Sequence, residues 1–244
     1  MFNLKKINSN ALPNHIAFIL DGNGRWAKRK GLSRTMGHKA GIVACKATVQ
    51  NCFDLGIKVV SFYAFSTENW GRPKEEINSI FTLIRDFVKT DLNEIYNYDV
   101  KLVVSGDYSK FPSDLVNALE ECLEKTKNGK TFILNLCINY GGRAEIVRAV
   151  NNIIKDNVNN VDEQVFSNYL YTANLPDPDF IVRTSGEQRI SNYMLWQCAY
   201  SEFYFPKVMW PDFDKSELLK AIKEYQKRNR RFGKIEENKW KQEY

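Results

Sequence analysis

A chain of 244 residues with 43% hydrophobic and 13% aromatic residues is long enough for one sizeable core and too apolar for general disorder. No run approaches the ~18 apolar residues of a membrane span, and Lys5 and Lys6 precede no apolar leader segment, so a cytoplasmic protein is expected. The net charge of +6 suits an anionic partner, whether nucleic acid, membrane or phosphorylated small molecule, without choosing among them. Cys45, Cys52, Cys122, Cys137 and Cys198 are odd in number and lack zinc-site spacing, which reads as reduced core thiols. No linker divides the chain, so residues 1–244 are expected to form one domain, with an N-terminal arm near 1–12 and a tail near 228–244.

The first strand, His15-Ile16-Ala17-Phe18-Ile19-Leu20, is a continuous apolar run that stops at Asp21-Gly22-Asn23-Gly24-Arg25-Trp26. Asp-Gly and Asn-Gly also suit a hairpin turn. Against a hairpin, Trp26-Ala27-Lys28-Arg29-Lys30-Gly31 has no alternation and reads as a basic loop. The glycines let backbone N–H groups approach an oxyanion, Arg25 offers phosphate a bidentate fork, and Asp21 can carry a divalent cation that phosphates also coordinate. From Gly37, the positions Ala40, Val43, Ala44 and Ala47 recur at helical spacing until Leu55-Gly56. Residues 57–65 read as a strand that empties into the polar, aromatic loop Ser66-Thr67-Glu68-Asn69-Trp70-Gly71-Arg72-Pro73.

A long helix follows, with Glu75 and Glu76 in its first turn and Ile77, Ile80, Phe81, Ile84, Phe87 and Val88 on one stripe, expected to pack in the core rather than line a cavity. Val100–Val104 is a further strand, Leu115 to Cys122 a helix, and Thr131–Ile138 another strand, which ends at Asn139-Tyr140-Gly141-Gly142-Arg143. Helices through Ile146, Val150 and Ile153 and near Phe166 and Leu170 lead to a strand ending at Arg183, then to the turn Thr184-Ser185-Gly186-Glu187. Glu202, read alone, is a surface acid of an aromatic helix, and a last helix begins near Lys215 and runs into Lys227-Arg228-Asn229-Arg230-Arg231.

This order predicts an α/β fold with a mostly parallel central sheet flanked by helices. Ligands of such sheets bind beyond the carboxyl ends of the strands, where Asp21, Ser66, Gly141 and Arg183 all lie. No Walker A, dinucleotide fingerprint or nucleophile elbow occurs. Arg25, Arg34, Arg72, Arg183 and Arg189, with His38, instead suit more than one diphosphate. Singly, each has a plainer reading: His38 as a helix cap, Arg72 and Arg183 as structural ion-pair partners, Trp70 as core. Nucleic-acid binding is not expected, because no stacking or recognition-helix pattern accompanies the basic charge.

Together these motifs resemble the cis-prenyltransferases. The resemblance spans nearly the whole chain: residues 15–27, Gly37-His38-Lys39-Ala40-Gly41, Tyr63 to Trp70 with Arg72-Pro73, Asn139 to Arg143, Arg183 to Glu187 with Arg189-Ile190-Ser191-Asn192, then Trp196-Gln197, Glu202 and Trp210 to Phe213. It implies head-to-tail addition of isopentenyl diphosphate to an allylic diphosphate, farnesyl diphosphate first among them, with Mg²⁺ and a homodimeric enzyme. By that likeness Asp21 manages metal and diphosphate, and Gly22, Asn23, Gly24, Arg25, Arg34 and His38 hold the allylic diphosphate, with Trp26 flanking the chain. Arg183, Arg189, Ile190 and Ser191 take the isopentenyl diphosphate, and Glu202 assists with metal. Ser66, Thr67, Glu68, Trp70 and Arg72 complete the substrate site. Asn69 sits where a proton leaves; a neutral carboxamide is a weak base, suited to orienting substrate. The likeness also implies an undecaprenyl product for a bacterial carrier lipid, peripheral contact with the inner face of the membrane through Lys227, Arg228, Arg230 and Arg231, and an Arg231-Phe232-Gly233 element reaching a partner subunit. A non-catalytic accessory subunit is the alternative, and the presence of Asp21, Asn69, Arg183 and Glu202 argues against it.

Overall fold

Strands that are apolar on both faces are stable only inside a sheet covered on both sides. In the computed structural model, which describes residues 7–91 and 99–228, they build such a sheet. Its strands are β1 (His15–Ile19), β2 (Val59–Ser66), β3 (Val100–Ser105), β4 (Phe132–Tyr140), β5 (Phe180–Arg183) and β6 (Glu202–Tyr204). They lie in the order β3-β4-β2-β1-β5-β6, and every neighbouring pair is parallel. The helices are α1 (Asn23–Arg29), α2 (Arg34–Leu55), α3 (Lys74–Asp86), α4 (Ser113–Thr126), α5 (Gly142–Lys155), α6 (Glu163–Ser167) and α7 (Lys215–Gln226). The α/β architecture is the one expected.

Alternate residues of the central strands feed two cores. Phe18, Phe62, Leu134 and Val182 join residues of α2, α3, α4 and α7 in the larger one, where Phe18 lies 5.7 Å from Trp210 and 5.8 Å from Phe213 between ring centroids. Ala17, Ile19, Cys137 and Ile181 join Tyr140, Tyr193 and Met194 in the smaller. Cys45, Cys52, Cys122 and Cys137 are buried free thiols and Cys198 is half-buried.

A polar chain crosses the sheet. The buried His15 ring meets Pro176 O through Nδ1 and Ser61 Oγ through Nε2, each at 2.7 Å. Asn135 Nδ2 donates to Ser61 Oγ at 3.0 Å and Ser105 Oγ donates to Asn135 Oδ1 at 2.9 Å, so β1, β2, β4 and β3 are stitched side chain to side chain. Burial pushes the His15 pKa down to about 4, against the smaller upward pull of the Pro176 carbonyl and Asp179.

Four expectations need correction. The basic stretch after Asp21 is not a loop: Gly22, at φ 110°, turns the chain into α1, and α1 packs so closely on α2 that a Cβ on Gly37 would come 2.1 Å from Asn23 O. Next, α2 begins at Arg34, three residues early, because Ser33 caps it by accepting from Met36 N. Its buried face is Gly37, Gly41, Ala44, Cys45, Thr48, Val49 and Cys52, which leaves Val43 67% exposed. Finally, Glu202 opens a strand, β6, rather than lying in a helix. Residues 1–6 of the N-terminal arm and 229–244 of the tail, including Arg230 and Arg231-Phe232-Gly233, lie outside the described residues.

Candidate active site

Chain order places β1, β2 and β5 beside one another with their carboxyl ends at one edge, where the segments after Ile19, Ser66 and Arg183 meet. A cavity of about 780 Å³ opens there, within the range of small-molecule sites. One side is polar, lined by Asp21, Gly22, Asn23, Gly24, Arg25, Arg34, His38, Ser66, Glu68, Asn69, Arg72, Arg183, Arg189 and Ser191. The other runs back between α2 and α3 along Ile42, Cys45, Ile80, Leu83 and Ile84 to Trp210. Residues of the α3 stripe thus divide: Phe81 and Ile77 pack inward, while Ile80 and Ile84 also wall the cavity, so both roles weighed from the sequence are present.

An ion chain runs along the polar rim. Arg189 Nη1 donates to Glu187 Oε2 at 2.7 Å, Arg25 Nη1 to Glu187 Oε1 at 2.6 Å, Arg25 Nη2 to Asp21 Oδ1 at 3.0 Å, and Arg183 Nη2 to Asp21 Oδ2 at 3.0 Å. Arg183 is buried, and its Nη1 also donates to Ser191 Oγ at 2.8 Å. The Asp21 carbonyl accepts from Thr184 Oγ1, Ser185 Oγ and Trp210 N, so its backbone is held from three sides. The hydrogen bonds from Arg189 and Arg25 lower the Glu187 pKa.

A second cluster faces α3. Glu76 accepts from Arg34 Nη1 at 2.7 Å and Arg72 Nη1 at 3.0 Å, and its Oε1 lies 3.4 Å from His38 Nε2 without hydrogen-bond geometry. Burial works against the Glu76 carboxylate, but the Arg34 hydrogen bond and the Arg72 and Arg34 charges outweigh it and lower its pKa. Desolvation holds the His38 pKa below its ordinary value despite Glu76, so the imidazole is neutral at pH 7. His38 Nε2 and Arg183 Nε are buried without hydrogen-bond partners, and both residues line the cavity. The Arg183 Nε–H is an unsatisfied donor, as is His38 Nε2 in its Nε2–H tautomer, and such donors in a cationic cavity suit an oxyanion.

Asn69 is a structural cap: its Oδ1 accepts from Ser66 N at 3.1 Å in a reciprocal box at the head of the Thr67–Gly71 turn. The carboxamide oxygen is thereby engaged, which leaves Nδ2 to donate to a ligand. The neighbouring loop is held by Asn192, whose Nδ2 donates to Glu68 Oε1 at 2.9 Å and whose carbonyl accepts from Gly142 N. Gly141 supports the same junction, since a Cβ there would come 2.5 Å from Thr67 Oγ1.

Five of the residues singled out from the sequence do not line the cavity. Trp26 donates from Nε1 to Asp212 Oδ1 with Lys30 over its ring; Thr67 sits under Gly141; Ile190 is half-buried in the loop beyond Arg183. Trp70 is 41% exposed, not core, and donates to Asn139 Oδ1 at 2.8 Å. Glu202 pairs in register with Phe180 at the start of β5, whereas Arg183 at its end pairs with Ile19. Three residues of strand, roughly 10 Å, therefore separate Glu202 from the Asp21 end of the sheet, so one ion cannot bridge the two within one chain. Among the described residues no three His, Cys, Asp or Glu side chains form a metal cluster. Sequence reasoning missed Glu76 and Glu187 as site residues. Both were visible only as acids near arginines, a common surface pattern.

Residues 19–233 match the family model described as "Putative undecaprenyl diphosphate synthase". The isoprenyl transferase of Clostridium perfringens is 49% identical over 230 residues, covering 92% of this chain and 91% of that protein. The crystal structure of lavandulyl diphosphate synthase from Lavandula x intermedia with dimethylallyl diphosphate superposes with a TM-score of 0.88 at 33% identity, over 92% of this chain and 100% of the other. A "probable undecaprenyl diphosphate synthase" from Campylobacter jejuni gives 0.78 at 32% identity, over 91% and 99%. By sequence along most of its length and by fold, the chain belongs with these proteins to the isoprenyl transferases of the undecaprenyl diphosphate synthase family.

Proposed function

We propose that the protein condenses isopentenyl diphosphate with an allylic diphosphate, farnesyl diphosphate being the first choice, and repeats the step to a long cis-polyprenyl diphosphate, undecaprenyl diphosphate for a bacterial carrier lipid. The observation that carries this is the continuity of the cavity from an arginine-rich rim to an apolar wall. Diphosphate and hydrocarbon are the two ends of such a substrate.

In this reading Arg25, Arg34 and His38 take the allylic diphosphate and Arg183, Arg189 and Ser191 the isopentenyl diphosphate, which sets the two reacting carbons side by side. The allylic C–O bond breaks and pyrophosphate departs with the bonding pair. The isopentenyl double bond supplies the new carbon–carbon bond, and its adjacent carbon releases a proton to a pyrophosphate oxygen. Arginines fixed by Asp21, Glu187 and Glu76 before substrate arrives need little reorganisation as charge grows on the leaving group. Asn69 Nδ2 orients a phosphate oxygen and does not itself take the proton. Magnesium, when bound, adds positive charge to the departing pyrophosphate. It needs only one or two protein carboxylates beside water and phosphate oxygens, and Asp21, at the rim and partly exposed, fits that demand alone.

The working unit is a homodimer. Its support is the outer face of α5, where Val147, Val150 and Ile154 are 60%, 42% and 66% exposed at spacings of three and four, an apolar stripe that a second copy would cover. No helix among the described residues is long and apolar enough to cross a membrane. Contact with the bilayer that receives the product is peripheral.

Incubation with labelled isopentenyl diphosphate, farnesyl diphosphate and magnesium tests the proposal. The expected result is a ladder ending at one long polyprenyl length, lost with chelator and reduced at least about 10³-fold in Asp21→Ala. No incorporation with farnesyl or geranyl diphosphate would refute it.

A further inference from the structure

We infer that the outer face of α2 and the α1–α2 corner form the surface that docks on an anionic bilayer. The inference rests on the functional reading above, in which the product is a lipid. From Gly22 to Phe53 the chain contains no Asp or Glu, yet it carries Lys28, Arg29, Lys30, Lys39 and Lys46 besides the two cavity arginines. The corner residues Lys28, Arg29 and Lys30 are exposed, as is Lys39. Lys28, Arg29 and Lys39 meet no carboxylate among the described residues. Large apolar side chains stand among these cations: Leu32 is 42% exposed, Met36 44% and Val43 67%.

Helical spacing explains why they share a surface. Met36, Lys39, Val43, Lys46 and Gln50 succeed one another by three or four residues, opposite the glycine and alanine face that α2 turns inward. Leu32 lies in the α1–α2 connection, next to the Ser33 cap. An apolar strip among lysines and arginines, with no acid on the same stretch of chain, is the pattern of an interfacial surface, the apolar groups entering the headgroup layer and the cations meeting lipid phosphates. An acidic protein partner would match the charge but would leave the protruding Val43 and Met36 unexplained.

The same helix turns Arg34, His38, Ile42 and Cys45 to the cavity. Docking along the outer face of α2 therefore puts the cavity one helix width, about 10 Å, from the bilayer. By contrast, the cations at the end of α7 are already engaged: Lys227 pairs with Glu224 at 2.6 Å, and Arg228 lies 4.0 Å from Glu202.

Flotation of the full chain with vesicles of phosphatidylcholine, alone or mixed with phosphatidylglycerol, tests the surface. Wild type is expected to float only with the anionic vesicles. Lys28→Glu/Arg29→Glu/Lys39→Glu should lower vesicle affinity at least about 100-fold, at about fivefold per cation. Met36→Ser/Val43→Ser should weaken it about tenfold or more, with Lys227→Glu/Arg228→Glu unchanged. Each variant should keep wild-type prenyl transfer in detergent solution, which shows that it is folded. Product formation by a wild type that does not float would sink the surface and leave the function standing, whereas no product in detergent would sink the function. Loss of flotation in the α7 variant alone, or binding to polyglutamate as tight as to vesicles and indifferent to Met36→Ser/Val43→Ser, would also overturn the assignment.

Discussion

Glu76 carries one charge and faces three cationic or protonatable side chains, Arg34, Arg72 and His38. It occupies the electrostatic place that a diphosphate would take. Glu76→Gln keeps the shape and removes the charge, so affinity for inorganic pyrophosphate should rise about five- to tenfold, worth about 1 kcal/mol in a partly screened site, as calorimetry would show. The His38 pKa should fall further in the same variant, since Glu76 is what pulls it upward; a histidine proton titration by NMR reads that shift. An unchanged pyrophosphate affinity would mean that Glu76 does not compete with the ligand. Asn69 separates two roles in a similar way. Asn69→Asp retains the acceptor for Ser66 N but loses the Nδ2 donor and adds a charge, so thermal stability should hold while kcat drops at least 10²-fold. Asn69→Ala removes the cap as well and should cost about 1 kcal/mol of stability.

Among the elements, the polar chain from His15 to Ser105 makes sheet stability depend on pH. The folded His15 pKa, about 4, lies below the ordinary 6.5, so below pH 6.5 the unfolded chain takes up a proton that the fold refuses. Stability is full above pH 6.5 and declines as pH falls toward 4, by about 2 kcal/mol at pH 5. Urea midpoints of wild type and His15→Gln at pH 7 and pH 5 measure it: the slope belongs to wild type, and equal slopes would contradict it. The strands of this sheet were legible because their β-branched and aromatic runs leave no other use for them. α1 was not, since it opens on Asn23 and Gly24, poor helix formers, and packs through Asn23 against Gly37 and Gly41 of α2. The alanines of α2 misled for a related reason. Helix packing here selects the smallest residues, so the glycines face inward and Val43 faces out. Of the site, the arginines and Asp21 declared themselves through loops at strand ends. Glu76 did not, because an acid in a first helical turn has an ordinary local explanation.

For the whole molecule, the stripe on α5 makes a prediction of assembly. In the dimer proposed above, Ile154→Glu should give a monomer in sedimentation velocity, and an unaltered sedimentation coefficient would place the interface elsewhere. The backbone beyond β5 shows what the scaffold sustains: Ser185, Ser191, Asn192 and Met194 all have positive φ, between 44° and 73°, a conformation that side chains resist and that Arg183 and Asn192 hold in place by hydrogen bonds. The same region contains one end of the rim, where Arg189, Glu187, Arg25, Asp21 and Arg183 alternate in sign. Charges that share partners cannot be titrated by ligands independently. An anion that draws Arg25 away leaves Asp21 and Glu187 to tighten on Arg183 and Arg189, which become less available to a second anion. By linkage the penalty is the same whichever site fills first. Bare diphosphates should thus bind anticooperatively here, and the two-diphosphate condensation proposed above would have that antagonism written into the order of the rim's own salt bridges.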